Sequence, residues 1–215
     1  MSMGSASTCG WDFNYLGLPT SMDGEYTTYY QEDGPWQSYL ASLDTPNSVI
    51  ISTDLEASAC DGSIGVGYIQ VQAGGFTYNE AEVQPSALAS TVQAAGQAHQ
   101  IVTAVAYDDA QSPPQVVVIS YGWSGDTTTV YESQAVAIPA SGNVGSTAQS
   151  LAGQGYFVSA FGGNSTDGYV MVGMRVQGDT MPRPLDLGNG SSVTSAPDDA
   201  YWSVVAHLGG FISEQ

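Results

Sequence analysis

Two stretches of the chain decide its fold: residues 86–107 (SALASTVQAAGQAHQIVTAVAY) and residues 145–161 (GSTAQSLAGQGYFVSAF). Each opens with a segment of small, alanine-rich residues that is compatible with a helix and ends around a Gly-Gln step. In the first stretch Leu88, Val92 and Ala95 have helical spacing. Each stretch then alternates apolar and small residues, IVTAVAY in one and FVSAF in the other, which is typical of a strand. We therefore predict two helix–strand blocks of the same design.

A hairpin and a preceding strand complete each block. After a polar turn, a second apolar strand is predicted at residues 116–123 in one block and at residues 169–176 in the other. Another strand is predicted before each helix, at residues 76–83 and 129–138. The predicted unit is therefore strand, helix, strand, strand.

A fainter copy of this unit comes earlier in the chain. Its predicted strand covers residues 26–31, its helix residues 35–43, and its hairpin residues 49–55 and 64–71. Pro35 suits the first position of a helix. The helix starts are about 50 to 60 residues apart, which is close to the periods of known repeat architectures.

A fourth helix is predicted near the end of the chain. Ser195 suits its N-cap, Pro197 its first turn, and Gly209 with Gly210 its end. Its apolar face would be formed by Tyr201, Val204, Val205 and Leu208. Only residues 211–215 follow, too few for a hairpin, so we expect the segment at residues 11–18 to supply a missing strand from the other end of the chain.

The predicted fold class is α+β, with tandem strand-helix-hairpin repeats. Antiparallel strands would lie inside and helices outside, in a closed, pseudo-symmetric arrangement whose closure hides the sheet edges. The alternative is an open antiparallel sheet with helices on one face. Residues 11–215 are predicted to form a single repeat-built domain after a flexible N-terminal segment, residues 1–10.

Composition excludes several function classes. Arg175 and Arg183 are the only lysine or arginine residues against 21 acidic residues, and a net charge of −19 repels nucleic acid. Without lysine the chain cannot form a P-loop, a Schiff base or a Ser-x-x-Lys site. No apolar run approaches the roughly 20 residues of a membrane span, and no cofactor is predicted. Because two arginines can pair with few carboxylates, we expect the fold to tolerate mild acid.

The two cysteines, Cys9 and Cys60, are predicted to form one disulfide that ties the N-terminal segment to the body of the protein. The alternative is two buried free thiols. Together with the acidic, lysine-free composition, the pair favours an extracytoplasmic location, meaning secreted, periplasmic or at the cell surface.

Residues 151–175 (LAGQGYFVSAFGGNSTDGYVMVGMR) resemble the tandem repeats of secreted bacterial and fungal proteins that lie beside serine-hydrolase domains, as in polyglycine hydrolases. The shared pattern is helix, Gly-aromatic, strand, turn, strand. In that family a separate domain carries the acyl-enzyme chemistry on a serine and a lysine. Since this chain has no lysine, the resemblance implies an accessory or recognition role in an exported protein.

Four residues are candidates for catalysis. Histidine is the side chain suited by type to proton transfer near neutrality, so His99 and His207 are candidates, but each is predicted at a helix C-terminus, where the helix dipole favours a cation. Ser124 could join a histidine and Asp126 in a triad, although its Gly-Trp-Ser-Gly-Asp context is more typical of a turn. Glu132 is a candidate carboxylate for glycoside hydrolysis.

Two predicted turns are rich in side-chain oxygen atoms, which are the ligands that calcium prefers. Asp108 and Asp109 occupy one predicted turn, and Asn164 and Asp167 occupy the matching turn of the next block. Neither turn has a full ligand set, and Asp and Asn are ordinary turn residues. We therefore predict no metal site.

The chain is rich in aromatic residues, with 13 tyrosines and 4 tryptophans. Tyr and Trp combine an apolar face with a polar edge that suits sugars and protein surfaces, although they also pack in cores. The predicted ligand-binding residues are Tyr26, Tyr29, Tyr30, Trp36 and Trp123. The favoured function is a non-catalytic extracytoplasmic module that binds a glycan, peptide or protein. The alternatives are a secreted hydrolase using Asp/Glu or Ser-His chemistry and a structural subunit of a surface assembly.

Overall fold

The computed structural model describes most of the chain between residues 14 and 214. The described residues are 14–17, 27–31, 36–43, 45, 48–57, 64–72, 75–108, 112–164, 168–183, 185–189, 201–205 and 210–214. In chain order, the elements are β1 (Asn14–Gly17), β2 (Thr27–Gln31), α1 (Trp36–Ser42), β3 (Ser48–Ala57), β4 (Ile64–Gln72), β5 (Phe76–Val83), α2 (Leu88–Gln97), β6 (Gln100–Asp108), β7 (Gln115–Trp123), β8 (Tyr131–Ile138), α3 (Val144–Gly153), β9 (Phe157–Asn164), β10 (Gly168–Val176), β11 (Leu185–Asn189), β12 (Tyr201–Val205) and β13 (Gly210–Glu214). One turn of 3-10 helix, Pro85–Ala87, precedes α2.

The strands form four antiparallel sheets, which confirms the α+β class and the mainly antiparallel pairing. Three sheets have the same order: β2-β4-β3, β5-β7-β6 and β8-β10-β9. In each, the strand before the helix lies at one edge, the strand after the helix lies at the other, and the last strand lies between them. Among the described strands no hydrogen-bonded barrel closes.

The strand that follows each helix carries an irregularity near its start. The pairing of β3 with β4 skips Ile51, that of β6 with β7 skips Thr103, and that of β9 with β10 skips Ser159. Such a β-bulge bends its strand and increases the local twist. The three strands are therefore bent at matching positions, although the residue at the bulge differs in each.

The fourth sheet corrects the prediction of a fourth helix. Its order is β1-β12-β13-β11, and β12, residues Tyr201–Val205, is a strand paired with both β1 and β13. Aromatic and β-branched residues in this segment favour a strand, and a short apolar run does not distinguish the two elements by periodicity alone. The prediction that too few residues follow for a hairpin was also wrong, because β13 pairs with β12. The N-terminal strand β1 does join the C-terminal strands, as expected.

The residues of α2 and α3 explain why these segments are helical and where α3 begins and ends. In α2 the buried positions Leu88, Val92 and Gly96 recur every four residues and so share one side of the helix. In α3 the side chain of Asn143 accepts a hydrogen bond from the N–H of Ser146 at 2.9 Å and caps the first turn. At its other end Gly155 takes the left-handed conformation, φ +87°, that closes a Schellman-type terminus.

The sheets meet through the strands that follow the helices. β6 lies beside β3 on one side and β9 on the other, and β1 lies beside both β3 and β9. Where β6 meets β3, the hydroxyl of Thr103 donates to the carbonyl of Ile50 at 2.6 Å. Where β6 meets β9, a Cβ added at Gly162 would overlap the carbonyl oxygen of Val105. Only glycine permits this approach of two backbones.

The core lies between successive sheets. One cluster joins α1 and β3 to the β5-β7-β6 sheet, and a second joins the other face of that sheet to β9 and β10. A third lies beneath α3 on the β8-β10-β9 sheet. Because β7 is covered on both faces, its middle residues, VVVISY, are all buried, and the strand does not alternate in polarity. Within the described part of the chain, no helix is long and apolar enough to cross a membrane.

Two threonines on neighbouring strands yield a matched prediction. Thr53 in β3 is buried, its hydroxyl has no hydrogen-bond partner among the described residues, and it lies two residues beyond the skipped Ile51. The corresponding residue of β6 is Val105. We expect Thr53→Val to raise the free energy of unfolding by about 1 kcal/mol, because an unpaired buried hydroxyl costs about 1–3 kcal/mol.

Thr103→Val is the control, since its hydroxyl is hydrogen-bonded, and we expect it to lower the free energy of unfolding by about 1 kcal/mol. Urea unfolding of both variants measures the two changes. Equal effects of the two substitutions would contradict the assignment of one unpaired and one paired hydroxyl.

Candidate functional site

Among the described residues, the clearest exposed aromatic side chain is Trp123, at the end of β7. It is 47% exposed and lies directly opposite Phe76 of β5, on which its ring stacks with centroids 6.2 Å apart and planes 22° apart. Phe76 in turn meets Tyr121 edge-on, and Tyr121 meets Tyr78 edge-on. These four side chains form a continuous row, here called the aromatic row, whose exposed end is Trp123.

The aromatic row is held at two points, at Tyr121 and at its exposed end, Trp123. The hydroxyl of Tyr121 accepts a hydrogen bond from the N–H of Ile50 at 3.0 Å, which ties the row to the neighbouring sheet. Around Trp123, a Cβ added at Gly125 would lie 2.5 Å from Cζ2 of the indole, and one added at Gly75 would lie 3.4 Å from its Nε1. The two glycines therefore let backbone lie against the indole. An indole fixed in this way loses little side-chain entropy when it binds a ligand.

Trp36, another predicted ligand-binding residue, belongs to the core instead. It is only 2% exposed, in α1, and its Nε1 donates a hydrogen bond to Oδ2 of Asp108 at 2.9 Å. The same bond accounts for Asp108, a predicted calcium candidate, which is buried at the end of β6. The carboxylate thus holds α1 to the next sheet, and neither residue forms part of an exposed surface.

Several predicted site residues lie beyond what the structure describes. Tyr29 and Tyr30 belong to β2, opposite Tyr68 and Gly67 of β4, and Asn164 ends β9, but only their backbones are described. The residues outside the described ranges are Tyr26, Asp109, Asp167, His207 and the two cysteines of the predicted disulfide, Cys9 and Cys60. Within the described ranges no three His, Cys, Asp or Glu side chains come together as metal ligands would.

His99 lies just after the end of α2, close to the helix C-terminus at which the sequence predicts it. Its φ of 63° is the left-handed conformation that glycine adopts at the matching end of α3. Its Nδ1 lies 2.8 Å from the carbonyl oxygen of Thr129 and, since that oxygen can only accept, donates to it. The imidazole thereby links the end of α2 to the segment before β8, a structural role that requires no substrate.

The described candidates for the predicted triad, His99, Ser124 and Asp126, each have other contacts. Nδ1 of His99, which a triad aspartate would contact, is bound to Thr129. Hydrogen bonds from the Thr129 side chain and from the N–H groups of Thr129 and Thr128 hold the pKa of Asp126 well below its usual range. Ser124 is exposed in the turn after β7, and its N–H donates to the carbonyl of Gly75. Each candidate therefore has a role in local turn structure.

Glu132 on β8 is paired with Arg175 on β10. Nη2 of Arg175 lies 2.5 Å and its Nε 2.7 Å from Oε2 of Glu132, and the guanidinium lies 4.4 Å from the ring centroid of Tyr156. Arg183, the other arginine, pairs with Asp179 at 2.5 Å and lies over the ring of Phe157. The Glu132 carboxylate therefore has a structural role in joining β8 to β10.

β5 carries an acidic pair, Glu80 and Glu82, that was not among the predicted site residues. Glu80 and Glu82 continue the same side of the strand as Phe76 and Tyr78, at intervals of two residues. Burial raises the pKa of Glu80, the hydrogen bond from the Tyr78 hydroxyl opposes that shift, and the charge of Glu82 adds to it. Oε1 of Glu82 is buried without a hydrogen-bond partner among the described residues.

The raised pKa of Glu80 bears on proton transfer. A carboxyl group whose pKa is raised retains its proton to higher pH, so Glu80 could donate a proton beside a second carboxylate. The sequence alone places the acidic pair beside the two aromatic residues of this strand. Residues 76–83 are predicted to form a strand, and the alternation of side chains puts Phe76, Tyr78, Glu80 and Glu82 on one face. The sequence could not show which face is partly buried.

Comparison of the chain with protein-family models, with curated proteins and with solved structures finds no match in any of the three.

The shifted pKa of Glu80 predicts a pH-dependent change in stability. Because the folded protein holds this proton more tightly than the unfolded chain, the contribution of Glu80 to stability is largest below the ordinary pKa, 4.5, and is lost as pH rises through the raised value. We expect Glu80→Gln, which can still accept from Tyr78, to be more stable than the parent at pH 7. The difference should shrink towards pH 4.

Glu132→Gln is the matched control, since it removes the ion pair with Arg175, and it should be less stable than the parent at pH 7. Thermal unfolding of all three proteins between pH 4 and pH 7 provides the measurement. Loss of stability in Glu80→Gln at pH 7 would contradict the account of Glu80.

Proposed function

We propose that the chain consists of four equivalent units arranged in a closed, pseudo-symmetric ring of four sheets. The shared order of three sheets and the matching bulges at Ile51, Thr103 and Ser159 support the equivalence. The contacts of β6 with β3 and β9, and of β1 with β3 and β9, support closure, with these four strands around the axis. The fourth unit is completed by the N-terminal strand.

In this arrangement the helices lie on the outside. Each of the two helices α2 and α3 packs on its own sheet and also contacts the first strand of the sheet that follows it, which is β8 for α2 and β11 for α3. The fit between α2 and β8 is close, because a Cβ added at Gly96 would overlap the carbonyl oxygen of Tyr131. Each helix would thus connect one unit to the next at the periphery, while the bent strands connect them at the axis.

We propose that the protein is an extracytoplasmic, non-catalytic binding module that recognises a glycan through Trp123. The observation that carries this proposal is the aromatic row, which holds a half-exposed indole in one orientation. A fixed indole presents a flat apolar face with a polar N–H edge, which suits the faces of sugar rings. Peptide and protein partners are the other occupants that such a residue fits.

The negative charge of the protein makes an anionic ligand unfavourable. With 21 acidic residues and a net charge of −19, an anionic polymer would be repelled at long range. We therefore propose that the glycan is neutral. The acidic, lysine-free composition and the resemblance of residues 151–175 to repeats of secreted proteins support a location outside the cytoplasm.

A hydrolase is the second candidate, and the acidic pair is the observation that favours it. Glu80, protonated to a higher pH than an ordinary glutamate, would donate a proton to a leaving group, and Glu82 would supply the second carboxylate. Both lie on the strand that carries Phe76, the residue on which Trp123 stacks. Loss of glycoside hydrolysis in Glu80→Gln, with binding retained, would favour this candidate.

The binding proposal is tested by substituting Trp123. We expect the parent protein to be retained on at least one neutral polysaccharide and Trp123→Ala to bind it at least about tenfold more weakly, because truncating a central aromatic residue of a binding surface typically removes more than 1 kcal/mol. Retention on a set of insoluble polysaccharides, followed by titration with soluble oligosaccharides, provides the measurement.

Met181→Ala is the matched control, since Met181 is 68% exposed and lies outside the aromatic row. It should bind as the parent does. Failure of the parent to bind any neutral glycan, or equal binding by Trp123→Ala, would contradict the proposal.

A further inference from the structure

The two arginines are the only sites at which proteases that require lysine or arginine before the cleaved bond could act. The chain contains no lysine, and Arg183 is followed by Pro184. Proline after the cleaved bond hinders such enzymes, because it fixes the backbone and lacks an N–H. The bond between Arg175 and Val176 is therefore the single unhindered site in 215 residues.

Arg175 is held in place by both its side chain and its backbone. Its side chain is 15% exposed, pairs with Glu132, lies over the ring of Tyr156 and donates from Nη1 to the carbonyl of Gln154. Its backbone belongs to β10, the middle strand of its sheet, with β8 on one side and β9 on the other. To be cleaved, this residue would have to leave both its partners and its sheet.

Arg183 is secured against the same part of the molecule. Its side chain is 17% exposed, pairs with Asp179, lies 4.3 Å from the ring centroid of Phe157 and donates to the carbonyl of Gly155. Its own N–H donates to the carbonyl of Ala152 at 2.8 Å. Both arginines thus hold the end of α3, where cations interact favourably with the helix dipole.

We infer that the folded protein resists proteases that cleave after lysine or arginine, and that the packing of these two arginines provides the resistance. Such proteases insert the basic side chain into an acidic pocket and bind several residues around it in an extended form. Neither arginine can offer its side chain without local unfolding, so cleavage is limited to the small fraction of molecules that are open. Resistance of this kind suits a protein that persists among extracellular proteases.

Digestion with trypsin, followed by mass spectrometry, tests the inference on three proteins. The folded parent should remain intact, whereas the urea-unfolded parent should be cut after Arg175 into two fragments. Pro184→Ala should also remain intact when folded and gain a second cut, after Arg183, when unfolded, which separates protection by the fold from protection by proline.

Thr180→Arg is the positive control, because Thr180 is exposed in the segment between the two native arginines. We expect the folded variant to be cut after residue 180 at least a hundredfold faster than the folded parent is cut anywhere. Cleavage of the folded parent or of folded Pro184→Ala after either native arginine would overturn the inference. Survival of folded Thr180→Arg would also overturn it, since protection would then not depend on how an arginine is packed.

Discussion

The close approach of β6 and β9 at Gly162 and Val105 is the constraint on which the remaining structure depends. No side chain larger than hydrogen fits at Gly162, because a Cβ there would meet the backbone of the neighbouring sheet. The two strands belong to different sheets and share no ladder of hydrogen bonds. Their separation fixes the spacing of the two sheets, and that spacing fixes which side chains meet in the core between them.

Much of the interior follows from this spacing. Sheets that stack on both sides of β7 bury its two faces, so a nearly continuous apolar run replaces the usual alternation of a strand. A polar group in this interior either has a hydrogen-bond partner or is buried unpaired, which lowers the free energy of unfolding. Asp108 is paired with Trp36, and Thr103 with Ile50, whereas Thr53 has no partner among the described residues. Trp123 remains half exposed because it lies at the end of β7, beyond this packing.

The sequence predicts local elements well where periodicity is long. Leu88 and Val92 mark α2, and the boundaries predicted for β5 agree with Phe76–Val83. It fails at Tyr201–Val205, where helical spacing and strand propensity coincide over a few residues and pairing with β1 and β13 decides the outcome. Composition also does not predict which aromatic residues are buried, because Trp36 and Trp123 differ only in how their elements pack. For the same reason the partly buried pair Glu80 and Glu82 needs tertiary structure to be recognised.

Equilibrium urea unfolding of Gly162→Ala, beside Gly153→Ala, tests the central constraint most directly. An added methyl group at Gly162 meets backbone that cannot move without displacing a sheet, so we expect the free energy of unfolding to fall by about 3 kcal/mol or more. Gly153 is exposed at the end of α3 with no atom near its would-be Cβ, so alanine there should be neutral or stabilising by up to about 1 kcal/mol. A Gly162→Ala protein as stable as the parent would contradict the close contact of β6 and β9.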